Sequence, residues 1–127
     1  MHLCGKVDGC LLGGGAGQLN LIRRLREQNI EVILQDRNSH CVARSLAHHF
    51  VPGDTTDSEI AKKTAVEYMV DGVLTAGTDQ PVLAATRAAR NRGCPSFLDE
   101  ESALAVTDKE VMKNLLSIAG IPIPAYR

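Results

Sequence analysis

The sequence has no tryptophan and only two tyrosines and two phenylalanines, so it lacks the flat surfaces on which single-stranded nucleic acids stack. It also lacks an excess of either charge. Fourteen Lys and Arg against 15 Asp and Glu leave no net positive field to release counterions from a polyanion, and nucleic acid is not an expected partner. No apolar run nears the roughly 18 residues of a bilayer-spanning helix, so no membrane association is expected. The first twelve residues lack the charged, apolar and small-residue order of a secretory signal, which points to the cytoplasm. Cys4, Cys10, Cys41 and Cys94 include no Cys-x-x-Cys pair, which argues against structural zinc and against a dense disulfide framework. His48 and His49 are adjacent and would point different ways, so no metal site is expected.

What is present is an alternation of short apolar runs with amphipathic stretches over 127 residues, a length suited to one compact domain. Val7 to Leu12 reads as a buried first strand, closed by Gly13, Gly14 and Gly15. Leu19, Ile22 and Leu25 share a helix face, Arg23, Arg24 and Arg26 face water, and Asn29 can end that helix. Glu31 to Gln35 is the second strand, with Asp36 at its carboxyl end. A short helix capped by Asn38 or Ser39 and running through Ala47 should precede a third strand at Phe50 and Val51.

After the polar loop Pro52 to Thr55, Thr56 and Glu59 have the spacing of a capping box, with Ile60, Val66 and Met69 as the buried stripe of a helix to about Val70. Gly72 to Thr75 is a fourth strand, Ala76 to Asp79 a polar turn, and Pro81 suits the start of the next helix, which Gly93 ends. Pro95 to Leu98 gives a fifth strand and Glu100 to Val106 a small helix. This order predicts a doubly wound α/β domain: a mostly parallel, five-stranded, Rossmann-like sheet with helices on both faces.

Two turns should meet at the carboxyl edge of that sheet. Gly14, Gly15, Ala16, Gly17 and Gln18 form a glycine-rich turn ahead of a helix, where backbone N–H groups can approach an anion. Thr75, Gly77, Thr78 and Asp79 form the second turn, able to donate and accept hydrogen bonds to a small polar substrate or to cap the following helix. Asp36, about twenty residues beyond the first turn, has the spacing of a ribose ligand in dinucleotide-binding folds. Gln18 stands where that fingerprint has its third glycine. A stand-alone NAD(P)- or nucleotide-binding module is therefore the alternative reading.

The closing stretch has its own physics. Thr107 and Glu110 are spaced as a second capping box. Val111, Leu115 and Ile118, flanked by Met112, Leu116 and Ala119, form a helical stripe that Gly120 and Pro122 stop. Thr-Asp-Lys, this helix, and Ala-Gly-Ile-Pro-Ile-Pro together resemble the entry into the ATP-grasp domain of the ATP-grasp superfamily. The upstream segments Gly-Gly-Gly-Ala-Gly-Gln, Val-Ile-Leu-Gln-Asp-Arg-Asn and Asp-Gly-Val-Leu-Thr-Ala-Gly-Thr-Asp follow the order of its amino-terminal domain, most like the carbamoyl-phosphate synthase large-subunit branch.

That resemblance implies a pre-ATP-grasp domain over residues 1–106 and a helix and linker over 107–127 that lead into an ATP-grasp domain, supplied in cis or in trans. It implies an ATP-dependent ligase that activates a carboxylate as an acyl phosphate for attack by an amine, with Mg at the phosphates. Of the residues here, it carries Lys109 to ATP binding; the two turns and Asp36 lie on the small-molecule substrate side. The magnesium ligands are expected outside this chain. The 127 residues are expected to be inactive alone, as an expressed fragment or a split-gene product, with homodimerisation left open.

Overall fold

The fold is that of a computed structural model describing residues 5–96 and 98–125. Strands β1 (Val7–Leu12), β2 (Ile30–Asp36), β3 (His49–Pro52) and β4 (Gly72–Leu74) form one sheet in the order β3-β2-β1-β4. Every pairing is parallel, with Val7 opposite Ile30, Ile33 opposite His49 and Gly9 opposite Gly72. Helix α1 (Leu19–Glu27) joins β1 to β2, and α2 (Ser58–Glu67) joins β3 to β4. Helices α3 (Val82–Arg92), α4 (Glu100–Thr107) and α5 (Lys109–Ile118) follow.

The two-residue period of the strands divides the core between two faces. Cys10, Leu12 and Ile33 pack with Ala61 and Ala65 of α2 and Ala84, Ala85 and Ala88 of α3. Leu11, Val32 and Leu34 pack with Ile22 and Leu25 of α1. Helices therefore cover both faces, as the alternation predicted. A fully buried Leu or Ile contributes about 1.5–3 kcal/mol, so Leu11, Leu12, Ile22, Ile33 and Leu34, all fully buried, anchor the sheet.

Several expectations are corrected. The sheet has four strands, not five, among the described residues. Pro95, Ser96 and Leu98 lie in no strand, and Phe97 lies outside the described residues. Pro95 has no N–H to give to the edge of β4, and the Ser96 hydroxyl donates to the Leu98 carbonyl at 2.8 Å. Both capping boxes give way to aspartates one residue along. Asp57 accepts from the amides of Glu59 and Ile60 to cap α2, and Asp108 accepts from Glu110 and Val111 to cap α5. A carboxylate there takes two amides and complements the helix dipole, which a threonine hydroxyl does not match. Thr56 donates instead to Asp54, and Thr107 donates back to Ala103 at the end of α4.

The expected stripe of α2 also moves. Ala61, Thr64 and Ala65 are buried, while Val66 and Met69 are about half exposed, because α2 lies close against the alanines of α3 and stops at Glu67. The expected helix from Asn38 or Ser39 shrinks to a 3-10 turn, Arg44–Leu46. Asn29 (φ 57°) and Gly93 (φ 81°) end α1 and α3 in left-handed conformation, as their positions predicted.

Candidate functional site

β1 and β4 are neighbours in the sheet, yet α1 leaves β1 toward one face and α3 leaves β4 toward the other. The turns behind these strands lie side by side at the carboxyl edge, where they border a crevice of about 440 Å³. Gly13, Gly15, Gly17 and Gln18 line it from the first turn. Ala76, Gly77, Thr78, Gln80 and Pro81 line it from the second. Asp36 and Arg37 behind β2, and Asp54, Thr55 and Thr56 behind β3, form its third side.

The two turns are clasped. Gln18, only 3% exposed, accepts from the Ala76 amide through Oε1 at 3.0 Å and donates through Nε2 to the Ala76 carbonyl. The side-chain amide thus engages both backbone groups of one residue. Behind it, Thr75 donates its hydroxyl to the Leu12 carbonyl at 3.0 Å, tying the ends of β1 and β4. Gly77 (φ 72°) lies against the backbone of Gly17, where a Cβ would meet the Gly17 carbonyl oxygen at 3.3 Å. The positive φ favours glycine there, and the close approach to Gly17 adds to it.

Gly14 is buried and fully engaged. Its amide donates to Asp36 Oδ2 at 2.8 Å, its carbonyl accepts from Ala43 at 3.0 Å, and an added Cβ would fall 2.4 Å from Cys41 Sγ. The other oxygen of Asp36 accepts from the Asn38 amide at 2.7 Å, so both Asp36 oxygens hold backbone. Gly15, Ala16 and Gly17 are exposed at the head of the helical turn, where the first N–H groups have no intrahelical partner.

Asp79 and Lys109 form a separate pair, Nζ to Oδ2 at 2.7 Å, joining the second turn to the first residue of α5. Lys109 beside Asp79 holds that carboxyl below its usual range, by hydrogen bond first and charge second. Asp54 is also held low, first by the Thr56 amide and then by its hydroxyl, with Arg37 at 3.7 Å adding charge.

Of the residues singled out in the sequence, Gly15, Gly17, Gln18, Asp36, Gly77 and Thr78 line the crevice. Gly14, Ala16, Thr75, Asp79 and Lys109 do not. Gly13 and Ala76, which lie in the two turns, also line it without having been singled out as ligands, and Arg37, Asp54, Thr55, Thr56, Gln80 and Pro81 were missed. The signal for the β3 loop was available: in a parallel sheet every strand delivers its following loop to the same edge. Among the described residues, no helix is long and apolar enough to cross a membrane, and no three His, Cys, Asp or Glu side chains converge as a metal site.

No protein-family model and no curated protein matches the sequence, whereas solved structures do. Phosphoribosylglycinamide synthetase from Anaerococcus prevotii has a TM-score of 0.78 at 24% identity, over 91% of this chain and 29% of that one. Glycinamide-RNase-transformylase T from Mycobacterium tuberculosis has 0.73 at 21%, over 93% of this chain and 34% of that one. The ADP complex of an N5-carboxyaminoimidazole ribonucleotide synthetase has 0.69 at 17%, over 99% and 32%. At these identities the likeness shows the fold, an α/β domain with a parallel sheet. The chain spans about a third of the length of these structures.

Proposed function

We propose that this chain is the substrate-side domain of an ATP-grasp, ATP-dependent carboxylate–amine ligase. The observation that carries the reading is the chain-long likeness to about a third of larger proteins, two of them synthetases, one of those in complex with ADP. The crevice supports it chemically. The exposed head of the helical turn at Gly15–Gly17 offers backbone N–H groups and the positive end of a dipole, suited to a carboxylate or phosphate. The side chains of Thr78 and Gln80 on the opposite rim suit the polar remainder of a small substrate.

The fit to ATP and Mg is partial. The described residues present Lys109 as a cation for phosphates but no cluster of carboxylates for magnesium. We therefore assign the magnesium ligands and the adenine site to an ATP-grasp domain acting in cis or in trans, and infer that these residues alone do not turn over ATP. The finer assignment, to a carbamoyl-phosphate synthase-like branch, rests on motif order in the sequence. The dinucleotide alternative has weaker support, because both Asp36 oxygens hold backbone amides rather than facing a ribose unengaged.

The test is expression of the full reading frame that encodes these residues, alone or with a co-purifying ATP-grasp chain. The expected result is Mg·ATP-dependent ADP release stimulated by a small carboxylate and an amine, with Thr78→Val raising KM for one of them more than it lowers kcat. Nucleotide-independent behaviour in every such pairing would remove the reading.

A further inference from the structure

Lys109 is the first residue of α5, where a cation opposes the positive end of the helix dipole. α5 has no fully buried residue, and Val111 and Met112 near its start are half-buried. What holds the Lys109 ammonium is Asp79, thirty residues earlier, at 2.7 Å. Asp79 sits between Thr78 and Gln80, both on the crevice rim. Upstream in the same turn, Ala76 is clasped by Gln18 and Gly77 lies against Gly17. The rim is therefore fixed at Ala76–Gly77, and Asp79 ties its far side to α5.

We propose that Asp79 is a positioning residue that occupies Lys109 as an internal counter-ion, so that a polyphosphate engages Lys109 only by parting it from Asp79, beside the crevice rim. This rests on the reading of Lys109 as a phosphate ligand given above. Two anions cannot both hold one ammonium at hydrogen-bond distance in the same direction without repelling each other, so phosphate on Lys109 and the Asp79 pair oppose one another. The exchange links the two halves of the site. Phosphate arriving at α5 releases the Thr78–Gln80 rim, and a substrate that holds the rim alters how readily Lys109 is released.

The pair is largely exposed, with 62% of the Lys109 and 47% of the Asp79 side chain open to solvent, so its opposition is modest. A pair of this kind alters affinity by about two- to five-fold.

The experiment uses the 127-residue chain and inorganic tripolyphosphate, followed by the NMR shift of the Lys109 side chain, with Lys63 on α2 as the control for non-specific attraction. Asp79→Asn is expected to tighten the Lys109 response about two- to five-fold and leave Lys63 unchanged. Asp79→Glu is expected to restore the wild-type response. In the wild-type titration, amides of Thr78 and Gln80 should move with Lys109. Equal Lys109 responses in wild type and Asp79→Asn would overturn the counter-ion role and leave the ligase reading standing. A Lys109 that responds in neither chain would overturn both this proposal and the phosphate role of Lys109.

Discussion

The glycine turn behind β1 and the last helix, α5, are the two regions to which the sequence most strongly points, and they are built in opposite ways. In the turn, Gly14 is enclosed, Gln18 is buried with both ends of its amide bonded to Ala76, and Asp36 is tied to backbone on both sides. In α5 no residue is buried, and Leu115 and Ile118 are 46% and 85% exposed. The turn is held by tertiary interactions; α5 is held by its own capping, by α4 and by the Asp79 pair. A motif readable in sequence can thus mark either a turn closed by tertiary contacts or a surface helix whose apolar side is exposed.

The comparison is open to direct challenge. The largest contrast is between two isoleucines: Ile22→Ala should cost about 2–5 kcal/mol in urea unfolding, whereas Ile118→Ala should stay within about 0.5 kcal/mol. Comparable losses would mean that α5 belongs to the cooperative core. Next, Gly14→Ala, which drives a methyl toward Cys41, should cost about 1–3 kcal/mol, with part of the loss recovered on adding Cys41→Ala; no recovery would place the strain elsewhere.

Gln18→Leu leaves the Ala76 amide and carbonyl without their partner and should cost about 1–2 kcal/mol while speeding exchange of the Ala76 amide. Unchanged exchange there would dismiss the clasp. Asp57→Ala and Asp108→Ala each remove a cap worth about 1 kcal/mol. The first should lower global stability, because α2 packs on the core, and the second should only speed exchange within α5.

The smallest effect is that of acid. Asp54, Asp79 and Asp99 are held below their usual range by Thr56, Lys109 and Ser102 respectively. A carboxyl whose folded value is depressed stabilises the protein above its ordinary titration range, and that contribution is lost as pH falls through the folded value. The Tm should therefore be level from neutral pH down to the ordinary carboxylate range and fall below it. Asp79→Asn should flatten that fall slightly.

Much of the sheet was legible in the sequence because burial imposes a period. The strand Val7–Leu12 has the expected ends, and Asp36 does stand at the carboxyl end of β2. Legibility failed where partners distant in sequence decide. Nothing near Gln18 announces Ala76, and nothing near Lys109 announces Asp79. The caps were misplaced by one residue because Thr56-Asp57 and Thr107-Asp108 offer two candidates each, and the aspartate carboxylate takes both free amides in each case. The loop behind β3 was passed over as connection, although parallel topology brings Asp54, Thr55 and Thr56 to the same edge as the glycine turn.

Under the proposed reading the chain shapes a substrate crevice and presents Lys109, while another domain carries the chemistry of ATP. The direct test is ADP release from Mg·ATP by the purified 127-residue chain, with Lys109→Met beside it. The account predicts no release above the level of that variant. Steady turnover by the wild-type chain that Lys109→Met abolishes would contradict it.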